Sequence, residues 1–319
     1  IDPSKFAGRM RSPVLIGISV KHYFRNMRLY RVMTPWPESE AELSDLLNQA
    51  AFKPCGPYAE RSAGFEAPVA ESADLFGRRL MGNDRLQLRV QTRILPAGAV
   101  QEALVERVDG FKTRMGAAPN RRELRDLKDE VINQLMPQAL VKSDRVGALY
   151  LREHKVLAVD SASETVADYF FKNLTRAVVG LQYAPLAFKQ PAVDLMNNIF
   201  LGQAKPPFSL ARECRMRDPA EAGASVNWLE MDLADAAIRR HLAEGLHLDR
   251  LGVRVDHVAR LVLDNDLVVR KLRFEDQRLD DVGESDDPLA QADAEWIVFA
   301  GFLQQLIKAL SEQLGGWVN

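Results

Sequence analysis

Residues 86–95, LQLRVQTRIL, alternate apolar and polar positions with a period of two, which predicts a strand with one buried face. Leu86, Leu88, Val90, Thr92 and Ile94 point one way. Gln87, Arg89, Gln91 and Arg93 point the other, and Arg85 extends that polar row. A shorter alternation predicts a strand over 24–32. Leu43, Leu46, Leu47 and Ala50 fall at helical spacing within 38–51. Further helical patterns cover 100–115, 165–179, 232–243 and 294–314, the last closed by Gly315-Gly316. Two hairpins are predicted, over 147–159 with a turn at Glu153-His154, and over 258–274 with a turn at Asp264-Asn265-Asp266. Strands and helices mix without regular alternation. The expected fold class is therefore α+β with mostly antiparallel sheets, not a doubly wound nucleotide-binding fold.

Residues 119–140, PNRRELRDLKDEVINQLMPQAL, divide on a helical wheel into three faces. Leu124, Leu127, Val131 and Leu135 share an apolar arc, Arg121, Arg125 and Lys128 form a stripe beside it, and Glu123, Asp126 and Glu130 lie on the far flank. Asn120 is positioned to cap and Glu123 to close a capping box. Pro137 disfavours helix at Met136, so the chain is expected to turn there and present Gln138, Ala139 and Leu140 at an extremity. A solvated amphipathic helix with ordinary surface charges accounts for the same pattern.

The chain has 319 residues, 47% hydrophobic and 27% charged, enough for two or three domains and a substantial core. Net charge is −2, but it is unevenly spread. Residues 1–160 carry 25 Lys and Arg against 20 Asp and Glu, and residues 161–319 carry 17 against 24. A polyanion partner is thus expected to be held mainly by the first half. Two distant cysteines, Cys55 and Cys214, give neither a disulfide framework nor a cysteine zinc site, which fits a reducing cytoplasm. The early apolar run at 13–20 is too short to span a bilayer. The chain opens Ile1-Asp2-Pro3, so residues 1–22 are read as a leader or added segment without functional weight.

No glycine-rich phosphate loop is present; 77–82 holds only two glycines. His241, His247 and His257 lie near Asp249 and Asp256 but match no helical ligand spacing. Glu275, Asp276, Asp280, Asp281, Glu284, Asp286 and Asp287 resemble a two-metal cluster, yet equally a solvated surface loop. No serine or cysteine nucleophile has a recognisable neighbour, and no cofactor is expected. Binding remains. Arginine forks suit phosphate oxygens, and glutamine amides add sequence-blind hydrogen bonds, so the Arg85, Arg89, Arg93 row is either a phosphate contact or a plain solvent face.

FRNMRLYRV from Phe24, AFKPCG at 51–56, RILP at 93–96, LKDEV at 127–131, LMPQAL at 135–140 and the terminal LGG together resemble the bacterial recombination-associated RdgC family. AFKPCG and the helix ending in LMPQAL are the specific parts, and the likeness covers nearly all of the chain after the first 22 residues. The resemblance implies a horseshoe-shaped monomer that closes as a homodimer into a ring around double-stranded DNA. It implies a cytoplasmic, nucleoid-associated protein that is not an enzyme, contacts no membrane, binds DNA with little sequence preference and restrains RecA loading. The implied domains are a centre (23–95 and 141–186), a helical tip (96–140) and a base (187–319). Arg85, Arg89 and Arg93 would line the lumen, with Arg121, Arg125, Lys128, Lys142, Arg145, Lys172 and Arg176 as secondary contacts. Met136 and Leu140 would make the apolar tip contact of an isologous dimer. In the base, Leu229-Glu230-Met231 stands where one family member has a basic, amide-bearing segment, so no DNA contact carries over to that loop. The alternatives are a metal-dependent DNA-processing enzyme using 275–287, and an inhibitor that contacts the recombinase directly.

Overall fold

The computed structural model describes residues 23–69, 74–221, 223–275 and 288–318. The fold is α+β with two antiparallel sheets. The first sheet holds β1 (Arg28–Val32), β2 (Arg61–Glu66), β3 (Gly77–Leu80), β4 (Asn83–Ile94), β5 (Leu140–Leu151), β6 (Val156–Val159) and β7 (Tyr183–Pro185). Its order is β2-β4-β5-β6-β1-β7, with β3 also pairing β4. One face buries Phe65, Leu86, Leu88, Val90, Tyr150 and Leu157 under α1 (Glu40–Gln49) and α4 (Glu164–Ala177). The alternation read from 86–95 is thus realised, with the even positions facing the helices.

Between β4 and β5 the chain leaves the sheet as an antiparallel pair, α2 (Ala97–Met115) and α3 (Arg121–Leu135). Gly116 at φ 71° ends α2 in the left-handed cap that glycine adopts without strain. Asn120 accepts from the Arg122 and Glu123 amides while Glu123 reaches back to the Asn120 amide, the capping box expected from the sequence. Past Pro137 the outcome differs from expectation. Met136–Gln138 form a single 3-10 turn, and Leu140 opens β5 opposite Ile94. The far end of the hairpin is the 116–120 turn, whereas Leu140 stands at its root, because the β4–β5 ladder captures the chain as soon as the helix stops.

The second sheet runs β12-β11-β10-β8-β9, built from β8 (Phe208–Arg217), β9 (Ser225–Leu229), β10 (His247–Val255), β11 (Ala259–Asp264) and β12 (Val269–Phe274). Its inner face packs on α5 (Ala192–Phe200) and α7 (Pro288–Gln313), and α6 (Ala236–Ala243) adds Ile238. Leu29, Leu149, Leu151, Val156 and Ala158, from the second face of the first sheet, join this same core. Helix α7 bridges them: Trp296 and Phe299 both meet Phe24 edge to face. Met27 and Val269 also exchange backbone hydrogen bonds at 2.8 and 3.0 Å, which fastens the start of β1 to β12. Both predicted hairpins are present. Strands β2, β3, β8, β9 and β10 and helix α5 had no clear period in the sequence.

Candidate nucleic-acid interface

Because β2, β4 and β5 pair in register, residues directly opposite one another share a face. Gly64, Arg89 and Arg145 form one row, and Ser62, Gln91 and Ser143 the next. Arg85 lies opposite Leu149, and Arg93 opposite Val141. The polar face predicted from 85–93 is real, but neighbours remote in sequence occupy much of it.

At one end, Arg85 lies with its guanidinium 4.1 Å from the centre of the Trp296 ring. Burial lowers its pKa to about 10, with Asp293 opposing the shift and Arg78 adding to it. Arg78 donates from Nε to Asp293 at 2.9 Å, so the pair of arginines staples β3 and β4 to α7. At the other end, Arg93 donates to the carbonyls of Gly56 (3.1 Å), Met136 (3.2 Å), Pro137 (3.3 Å), Ala139 (3.2 Å) and Cys55 (3.4 Å). It ties the AFKPCG loop to the root of the helical hairpin. The expectation that Arg85 and Arg93 face an open lumen is therefore revised: both are spent on internal contacts.

Arg89 lies between them, 4.5 Å from the Phe52 ring, 3.5 Å from Glu66 and 3.4 Å from the Ser143 hydroxyl. Arg145 is more exposed and donates from Nε to Glu66 at 2.6 Å. Glu66 was not foreseen, because it enters from β2 rather than from the arginine-bearing strand. Gln91 accepts the Cys55 amide at 3.0 Å, and a Cβ at Gly64 would overlap the Phe52 backbone. The 51–56 motif is thus a loop laid flat across the β2–β4 face, with the Cys55 side chain buried beneath it.

The secondary cations scatter. Lys142 pairs with Asp144 at 3.0 Å and, being odd-numbered steps from Arg145, lies on the opposite face of β5. Lys172 and Arg176 are exposed on α4, which covers the other side of the sheet from Arg89. Arg121, Arg125 and Lys128 are exposed on α3 and, among the described residues, have no carboxylate within 4 Å. Leu127 and Val131 are buried beneath them, while Leu124 is 41% exposed. Met136 is only 7% exposed and Leu140 is 78% exposed, so of the two only Leu140 offers an apolar surface. Burial of Met136 follows from its position in the 3-10 turn that Arg93 clamps.

Of the 275–287 acids, only Glu275 lies within the described residues; it sits 3.3 Å from Arg254 and 3.6 Å from Arg260. His241 packs against Trp228 and pairs with Glu244 at 3.5 Å, and His257 occupies the β10–β11 turn. Among the described residues no three His, Cys, Asp or Glu gather in a manner that could hold a metal. Burial pushes the Cys214 thiol up to about 12. No helix among the described residues is long and apolar enough to cross a membrane.

The family described as "Putative exonuclease, RdgC" matches residues 22–317. A recombination-associated protein RdgC from Xanthomonas campestris pv. campestris (strain B100) is 32% identical over 298 residues, covering 92% of this chain and 97% of the relative. That from Stenotrophomonas maltophilia (strain R551-3) is 30% identical over 294 residues, at 91% and 97% coverage. That from Shewanella baltica (strain OS223) is 29% identical over 298 residues, at 92% and 98%. With nearly its whole length matched, the chain belongs to the RdgC family of recombination-associated proteins.

Proposed function

We propose that this chain is a non-catalytic, sequence-independent double-stranded DNA-binding protein that acts in recombination. It works as a horseshoe-shaped protomer, two of which close into a ring around the duplex and limit RecA loading. The observation that carries DNA contact is the α3 stripe: Arg121, Arg125 and Lys128 stand exposed and free of carboxylates, among the described residues, on an arm capped at its start. Arg89 and Arg145 add a second contact in which two cations share one carboxylate, leaving net positive charge. Lys142, Lys172 and Arg176 contribute long-range attraction from other faces, and Arg85 and Arg93 act as supports. Leu140, exposed at the root of the helical hairpin, supplies an apolar contact between copies.

Phosphate neutralisation predicts that log affinity falls linearly with log salt, by about 0.9 per phosphate engaged. Replacing Arg121, Arg125 and Lys128 by glutamine should reduce that slope by roughly 2 to 3 and weaken all duplex sequences alike. Salt-independent binding, or loss confined to one sequence, would remove the reading. Leu140→Ser should shorten retention on closed circular DNA without altering the slope. Metal-dependent nicking of supercoiled plasmid, lost on replacing Asp280 and Asp281, would favour a DNA-processing enzyme instead.

A further inference from the structure

The second sheet turns a row of arginines away from its core. In β10 the core takes Leu251, Val253 and Val255, which leaves Arg254 on the outer face. Arg254 is directly opposite Arg260 of β11, and Arg260 is directly opposite Arg273 of β12. Three guanidinium groups thus rise from one face of three adjacent strands, a span of about 10 Å at the usual strand spacing. Like charges directly opposite destabilise a sheet by a few tenths to about 1 kcal/mol per pair. Glu275, 3.3 Å from Arg254 and 3.6 Å from Arg260, offsets part of that cost for the first pair but does not reach Arg273 within 4 Å.

Local irregularities deepen the same face. The register of β8 shifts between Leu251 and Val253 of β10, and residues 211–213 bulge over Gly252, where a Cβ would press within 3.0 Å of Glu213. Gly252 therefore forms a low floor. Arg212 stands at one rim and donates to the Glu230 carbonyl at 2.8 Å; Lys271 stands at the other, at φ 51°, paired with Glu213 at 2.8 Å. The result is an open groove of about 260 Å³. It holds five cations, Arg212, Arg254, Arg260, Lys271 and Arg273, against Glu213, Glu230 and the adjoining Glu275. Arg273 has no carboxylate within 4 Å among the described residues, and the Arg254 Nε is buried without a hydrogen-bond partner although Glu275 lies 3.3 Å away.

We propose that this groove is a second binding surface for the phosphodiester backbone of duplex DNA, with Arg260 and Arg273 as its principal contacts and Glu275 setting its strength. A linear cation row on an open sheet face suits an extended polyanion better than a compact anion, which would need enclosure. The surface lies in the half of the chain whose net charge is negative, so overall charge balance hides it. The inference rests on the reading that the chain binds duplex DNA, and names a second place where it does so.

Anisotropy titration of the full chain with a fluorescent duplex of about 30 base pairs, at roughly 50 to 200 mM salt, tests it. Arg260→Gln with Arg273→Gln should weaken binding about tenfold and lower the salt slope by about 1.8, the value for two lost phosphate contacts. Glu275→Gln should act in the opposite sense, tightening binding severalfold. Unchanged affinity and slope in the arginine pair, or weaker binding in the Glu275 variant, overturns the second surface while leaving the α3 contact standing. Failure of the unmodified chain to bind in a salt-dependent way would remove both.

Discussion

Arg93 shows how far an arginine on a strand can be from its expected work. Its planar fork fans across five carbonyl oxygens drawn from the 51–56 loop and the turn after α3, a set that an ammonium cannot match. Arg93→Gln is expected to cost about 1 to 2 kcal/mol in urea unfolding, since partly buried and exposed carbonyls lose a charged donor, and Arg93→Lys should recover only part. The salt slope of DNA binding should stay as it was in both variants. Alternation along 85–93 announced the direction of these side chains correctly. What met them was not legible, because Trp296, Glu66 and the Gly56 carbonyl reach that face from segments about 20 to 200 residues away in sequence, and a period of two carries no information about the neighbouring strand.

Among the elements, α3 was the most legible and β8 to β10 the least. A helix start is written locally: Asn120, Glu123 and the preceding Pro119 suffice, and the capping box formed as the residues required. Asn120→Ala should therefore lower stability by about 1 kcal/mol and raise amide exchange over 121–124 before it affects the sheets. The strands of the second sheet are interrupted by register shifts between β8 and β10 and between β11 and β12, and by positive φ at Lys271, so their alternation breaks within a few residues. Those same irregularities shape the arginine groove, which is why a pass for periodicity left it unnoticed. Its trace in the sequence was the recurrence of Arg250, Arg254, Arg260, Arg270 and Arg273 among apolar residues.

At the scale of the whole molecule, α7 matters more than any other helix. Phe299, Phe302, Leu303, Leu306, Ile307 and Leu310 are buried in a core that also receives Leu149, Leu151 and Val156 from the first sheet. Six such side chains at roughly 1.5 to 3 kcal/mol each rival the total stability of a typical domain. A chain ending before Pro288 should consequently lose cooperative unfolding in both sheets, seen as a broad far-UV circular dichroism transition rather than a shifted sharp one. The staple of Arg78 and Arg85 on Asp293 and Trp296 and the Met27–Val269 pairing close the joint further. A protomer built this way has its two sheets fastened, among the described residues, into one shared core. Were two of them closed around a duplex, neither could bend aside to release it. Escape would wait on the parting of one copy from the other, so the phosphate contacts would govern how the protein lands and slides, and the lifetime of the weaker joint between copies would govern how long DNA stays enclosed.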